Sequence, residues 1–286
     1  MTQSVAGSGA AATKRPSYWS IISNNFSSTV VDSIRTMGRA VQMLVLTLVS
    51  MVSDIVRGRL QWKEMLQQTW YMIGVTAFPG ILIAIPFGVV ISIQIGNIIH
   101  QLGADSLSGA AGGLAVIAQG APIATGLLLA GAGASAIAAD LGARTIREET
   151  DAMRVMGINP INRLVVPRLL AAWIVSPLLN ILIIGVGTIA GYLVAVGGQG
   201  VTPGAYWLSF GSFAHPIDVW ISIIKSIIFG TIIAIIGCQR GLEAKGGSRG
   251  VADGVNATVV LSFVVIFAVN LLITQITTMF FPMQVG

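Results

Sequence analysis

Five stretches of this chain are long and apolar enough to cross a bilayer, and a chain that carries them must fold with lipid as its main solvent. They run Met72–Ile99, Gly113–Ala139, Leu164–Val196, Ile217–Cys238 and Val255–Phe280. Each is near or above the roughly 20 residues that a helix needs to span the hydrocarbon. Apart from Arg168 and Asp218 close to their ends, these stretches hold one charged side chain, Lys225. Only 9% of the chain is charged, against about 25% in an ordinary soluble domain, which is too little to clothe a surface in water. The expected fold is therefore all-α and polytopic.

Details of the spans refine this picture. Pro79 and Pro86 fall inside the first and predict a kinked or broken helix. The 34 glycines suit close helix approach, since helices in lipid gain no hydrophobic drive from meeting one another. Gly131 and Gly133 in the second span, and Gly187 and Gly191 in the third, are the candidate packing positions. Gly185-Val-Gly187-Thr-Ile-Ala190 formally fits a dinucleotide fingerprint, but it lies mid-span with no soluble strand before it. A single cysteine, Cys238, excludes an internal disulfide and any cysteine-based metal cluster, and no metal site is expected.

Upstream of the spans, residues 1–38 read as a polar, flexible cytoplasmic leader, and residues 39–70 as an interfacial region. Within the latter, Arg39, Gln42, Thr47, Ser50, Asp54 and Arg57 recur every three to five residues and draw one polar stripe along a helix at Val41–Val56. A helix with one wet and one greasy face, bounded by arginines, is expected to lie in the membrane surface. Trp62, Trp70 and Tyr71 then supply an interfacial aromatic belt.

The basic residues set the orientation. Fifteen of the sixteen lie before the first span, between the second and third or just inside the start of the third at Arg168, or between the fourth and fifth. Cytoplasmic loops concentrate Lys and Arg, so the N-terminus is expected in the cytoplasm and, with five spans, the C-terminus outside. The net charge of +5 is thereby a topology signal and gives no reason to expect nucleic acid.

The segment between the second and third spans carries the most distinctive pattern. Glu148, Asp151, Ala152 and Val155 share one helical face at i, i+3, i+4 and i+7. Gly157 and Asn159-Pro160 stop the helix, because glycine suits the C-terminal cap and a residue before proline avoids the α region. Glu149, Met153 and Met156 flank it, so a short charged helix at about 144–158 is placed to dock on a partner; a solvated connector is the plainer alternative. No Gly-x-x-x-x-Gly-Lys-Ser/Thr run occurs, so the chain has no phosphate cradle of its own.

The run Ala139-Asp-Leu-Gly, Glu148-x-x-Asp151-Ala152-Met153, Gly157-x-Asn159-Pro160 and Leu164-Val-Val-Pro167-Arg168 resembles the signature of the MlaE/YrbE permease family. So does Gly241-Leu-Glu-Ala-Lys245-Gly246-Gly247-Ser-Arg-Gly250-Val-Ala-Asp253-Gly254 before the last span. The resemblance, closest to the actinobacterial YrbE A type, extends over nearly everything from Val41 onward. It implies a membrane subunit of an ABC transporter that is not itself an enzyme. ATP and Mg would be bound by a separate ATPase chain, the Glu148–Gly157 helix would couple to that ATPase, and the partners would be a second YrbE-type permease and MCE-domain proteins on the outer face. The implied cargo is lipid, fatty acids or sterols, imported across the inner (plasma) membrane. Gln119 and Ala132 depart from relatives that carry an acid and an arginine there.

Lys225, Gln119 and Gln94 are the candidate cargo contacts. Lys225 lies about two turns, roughly 10 Å, inside from Asp218. The plain reading is snorkelling or pairing with Asp218, and the functional one is an anionic headgroup. His100 and His215 read as interfacial anchors, and Asp105 and Asp218 as helix ends. An ion-coupled carrier or channel and a non-transporting scaffold are the competing classes; ATP hydrolysis by a co-purified subunit separates both from the permease.

Overall fold

The computed structural model describes residues 18–58, 61–104 and 107–280, with side chains from residue 36 onward. Asp105 and the expected leader up to residue 17 lie outside the described residues. The chain divides into two compact units, Met1–Gln42 and Met43–Gly286. Helix α1 (Tyr18–Val56) begins in the first and ends in the second, so helix reaches well into the stretch expected to be a flexible leader. The second unit continues with α2 (Trp62–Gln101), α3 (Ser108–Ile146), α4 (Glu149–Val155), α5 (Ile161–Gly198), α6 (Pro203–Phe213), α7 (Pro216–Leu242) and α8 (Gly247–Phe280).

The five expected spans fall inside α2, α3, α5, α7 and α8, and the described chain is helical without strands. This is an all-α, multi-pass membrane protein. Thr36–Val56 qualifies as a sixth candidate span by length and composition, where the sequence reading counts five. The polar stripe of α1 is divided: Arg39, Gln42 and Arg57 are exposed, while two of its members meet protein. Thr47 is fully buried, and Asp54 accepts both bonds of Asn162 Nδ2, at 3.2 and 3.1 Å, from the start of α5. Val45, Val49, Val52 and Val56 are exposed instead. In lipid the stable solution is to turn polar groups towards protein partners, and a stripe that looks wet on paper can serve that end.

Helix α2 is not broken by its prolines: it runs without interruption through Pro79 and Pro86. Its buried face recurs almost every four residues, through Thr69, Met72, Thr76, Gly80, Ala84, Gly88, Ser92 and Gly96. Small side chains here let α5 come close. A Cβ on Gly88 would lie 2.2 Å from the carbonyl oxygen of Gly187, so only glycine fits. Ser92 Oγ donates to Gly191 O at 3.0 Å across the same seam, and Gln199 Nε2 returns a bond to Ser92 O at 3.3 Å.

Helix α3 fills the centre and is the most buried of the candidate spans. It carries two π turns, at Val116–Gly120 and Leu129–Ala134. Pro122 accounts for the first: without an N–H, it cannot donate to the carbonyl of Ala118 four residues back. Helix α7 seals the other side, burying Phe229 and Ile233 completely.

Helix α6 has no counterpart in the sequence reading. Thr202 caps it by accepting from Ala205 N at 3.4 Å, with Pro203 in the first turn. Its Tyr206 is buried, ring centroids 5.3 Å from Tyr192 and 5.5 Å from Trp207. Burial pushes the Tyr206 phenol up from its ordinary range.

Candidate functional site: an exposed helix braced by a buried ion pair

The segment joining α3 to α5 is built from capping rules. Helix α3 ends at Ile146, and Glu148 then adopts φ 59°, the one left-handed non-glycine among the described residues. That reversal starts α4. Its end is a Schellman pair: Ile158 N donates to Met153 O at 2.9 Å and Gly157 N to Arg154 O at 3.0 Å, with Gly157 at φ 75°. Asn159 Oδ1 then accepts from Ile161 N at 2.9 Å and opens α5.

Of the residues expected to couple, Glu148, Asp151, Ala152, Met156 and Gly157 are exposed, while Glu149 and Met153 are half-buried. Val155 and Ile158 add apolar surface to the exposed side. Thr150 alone on α4 is buried, at 3% exposure, and marks the face turned to the protein. Arg147 pairs with Glu149 at 2.8 Å and Arg154 with Asp151 at 2.9 Å, both in the open. Such exposed pairs stabilise by only about 0–1 kcal/mol, so another partner can exchange for them easily.

Beneath this helix lies a device that sequence reasoning missed. Arg168 is wholly buried, and its guanidinium pairs with Asp140 Oδ2 and donates to Leu164 O at 2.6 Å. Asp140 Oδ1 takes Arg144 Nε at 3.1 Å. One carboxylate therefore ties the end of α3 to the beginning of α5, and α4 hangs between the two tied helices. Both residues belong to the pattern quoted above, but their pairing across 28 positions has no local signal.

The structure also brings the two characteristic stretches together. A cavity of about 420 Å³ is lined by Glu148, Asp151 and Arg154 on one side and by Ala244, Lys245 and Gly247 on the other. The loop between α7 and α8 is therefore a wall of the same site.

The candidate cargo contacts separate. Lys225 is 2% exposed and does not pair with Asp218, whose carboxylate instead accepts from His215 N at 3.2 Å and caps α7. Nor does it snorkel. Its Nζ donates to Ala118 O and to Thr274 Oγ1, both at 3.1 Å. The carbonyl is the one that Pro122 leaves without its helical donor. Gln119 belongs to this network, donating to Thr274 Oγ1 at 3.1 Å and accepting from Asn270 Nδ2 at 3.3 Å. Gln94 lies apart, exposed on α2. Among the packing candidates, Gly187 and Gly191 face α2 and Gly133 touches Met72, whereas a Cβ on Gly131 would meet nothing within 4 Å. Among the described residues no group of three His, Cys, Asp or Glu side chains could hold a metal ion.

Fold and site together define a multi-pass helical membrane protein with one short exposed helix between two long ones that an arginine–aspartate pair ties together. The family pattern of Permease MlaE matches residues 65–276. The chain belongs to this family. It is 34% identical over 217 residues to a probable ABC transporter permease protein of Synechocystis, covering 76% of this chain and 82% of that one. It is 31% identical over 225 residues to the chloroplastic protein TRIGALACTOSYLDIACYLGLYCEROL 1 of Arabidopsis thaliana, 78% and 64% of the respective chains. To the intermembrane phospholipid transport system permease protein MlaE of Haemophilus influenzae it is 28% identical over 252 residues, 86% and 94% of each.

Proposed function

We propose that this chain is the permease subunit of an ATP-driven lipid transporter in the inner (plasma) membrane, moving fatty acids or sterols inward. ATP and Mg bind on a separate ATPase chain, whose closure pushes on α4. The observation that carries this reading is the brace: an exposed helix fixed to α3 and α5 through Asp140 and Arg168 passes force on as rigid-body motion. A loose connector would absorb it.

A lipid cargo is supported by the walls and by the name of the Haemophilus influenzae relative, a phospholipid transport permease. Each methylene moved into water costs about 0.8 kcal/mol, so a sixteen-carbon chain costs about 12 kcal/mol. A carrier of such molecules needs an apolar route and an external energy source. Helices with so few charges supply the first, and the partner ATPase the second. A second permease of YrbE type and MCE-domain proteins complete the assembly, with α1 lying in the membrane surface, the N-terminus in the cytoplasm and the C-terminus outside. Lipid analysis of the purified complex identifies the cargo.

The test is co-purification of the ATPase with a Glu148→Lys, Asp151→Lys double variant of the full chain. Loss of ATPase recovery at unchanged expression is the expected outcome. Undiminished recovery and ATPase activity would remove α4 from the coupling role.

A further inference from the structure

A second cavity, of about 340 Å³, opens between α2 and α3 at the end of the bundle that carries most of the basic residues. Gln67, Tyr71 and Arg144 form its polar rim, and Met72, Val75 and Ile137 its apolar floor. We propose that this cleft binds an anionic phospholipid of the adjoining leaflet, its phosphate at Arg144 and the start of one acyl chain on the floor. The proposal concerns a resident lipid and stands whether or not the chain transports any.

Three observations carry it. The first is depth. Tyr71 and its neighbour Trp70 are both exposed, and such rings mark the headgroup level of a bilayer. Polar groups above and aliphatic groups below therefore match the order of a lipid's own parts. The second is charge. Asp140 is the one acid among the residues that line the cleft, and its two oxygens already face Arg144 and Arg168. Two guanidinium groups against one carboxylate leave a surplus of one positive charge. Arg168 is sealed in, so Arg144, whose side chain is 30% exposed, presents that surplus to the cleft. Basic pockets between transmembrane helices at the cytoplasmic face are the usual receivers of anionic headgroups. The third is room. Gly133 and Ala136 leave the wall of α3 without bulk where a chain would lie. Gln68 lines the cleft and donates its amide at 3.3 Å to Glu64, a carboxylate beyond the lining residues.

The full chain in nanodiscs of equal phosphatidylcholine and phosphatidylglycerol, probed with spin-labelled forms of each, gives the test. Wild type should immobilise the phosphatidylglycerol label about fivefold more than the phosphatidylcholine label, the preference expected from one basic side chain at a membrane surface. Arg144→Gln should abolish the preference and Arg144→Lys should keep most of it. Ala136→Phe fills the cleft without touching a charge, so it should release both labels and reads out even where Arg144→Gln fails to fold. Soluble glycerol 3-phosphate should displace neither. Equal retention of the two labels by wild type, an unchanged preference in Arg144→Gln, retention in Ala136→Phe, or displacement by glycerol 3-phosphate would each overturn the proposal.

Discussion

Arg168 and Lys225 are both sealed inside the second unit, at 0% and 2% exposure, yet only the arginine has a carboxylate beside it. Lys225 is met by a backbone carbonyl and a threonine hydroxyl, and among the described residues no acid lies within ion-pair distance of it. Burying an ion costs several kcal/mol, which only a close counter-ion with good hydrogen bonds offsets. The arginine is thus a structural clamp with a counter-ion, although its Nε is left without a partner. The lysine is held by neutral dipoles, which leaves it able to trade those partners for an anion at small cost. That contrast separates a cation held by a carboxylate from one held by neutral groups.

The largest expected effect breaks the clamp. Asp140→Ala strands Arg168 without a counter-ion, and thermal unfolding of the purified full chain should show a loss of about 3 kcal/mol, the low end for a broken buried pair because Asp140 is still 38% exposed. A loss under about 1 kcal/mol, the size expected of a surface pair, would erase the distinction between the two cations.

Next in size is a change at Pro122. Pro122→Ala supplies an N–H four residues after Ala118, and it competes with Lys225 for that carbonyl. In an ordinary helix the substitution would stabilise; here we expect a loss of about 1.5 kcal/mol, the low end for a hydrogen bond to a charged group. Combining it with Lys225→Met should recover the loss, and an additive double-mutant cycle would show that the two positions do not communicate.

Lys225→Met alone should leave stability within about 1 kcal/mol of wild type, since relief of an under-compensated charge offsets the orphaned carbonyl. A drop as large as that of Asp140→Ala would mean that the neutral dipoles hold the lysine as firmly as a carboxylate holds the arginine.

Much of the bundle was legible because burial in lipid leaves a one-dimensional signature: runs poor in charge mark the apolar parts of α2, α3, α5, α7 and α8, while the polar turns by which α2, α3 and α8 extend past the apolar runs carry no such mark. The C-terminal stop of α4 was legible for a similar reason, since Gly157 and Asn159-Pro160 act on their immediate neighbours, whereas the left-handed Glu148 that starts the helix was not foreseen. What failed were the side-chain pairings. Lys225 and Asp218 sit two turns apart and looked like partners, but the capping demand of α7 at His215 claimed the acid first. Asp140 and Arg168 were both quoted as part of a pattern, and nothing in the chain says that they touch. Helix α6 did leave a trace, Thr202-Pro203 at its start, which is a recognised helix opening that the surrounding apolar spans obscured.

The smallest expected effect tests the other half of the contrast, rigid brace against exchangeable surface. Asp151 and Arg154 are each 65% exposed, so their pair contributes under about 0.5 kcal/mol to stability. Asp151→Ala and Arg154→Ala should therefore unfold at the wild-type temperature within that margin. They should differ in recovery of the ATPase, because the first removes a group that α4 offers to a basic partner while the second only releases it. Reduced recovery with Asp151→Ala beside intact recovery with Arg154→Ala places the carboxylate at the contact. Equal losses would mean that the pair shapes α4 itself, and that the partner reads the apolar end at Val155, Met156 and Ile158 instead.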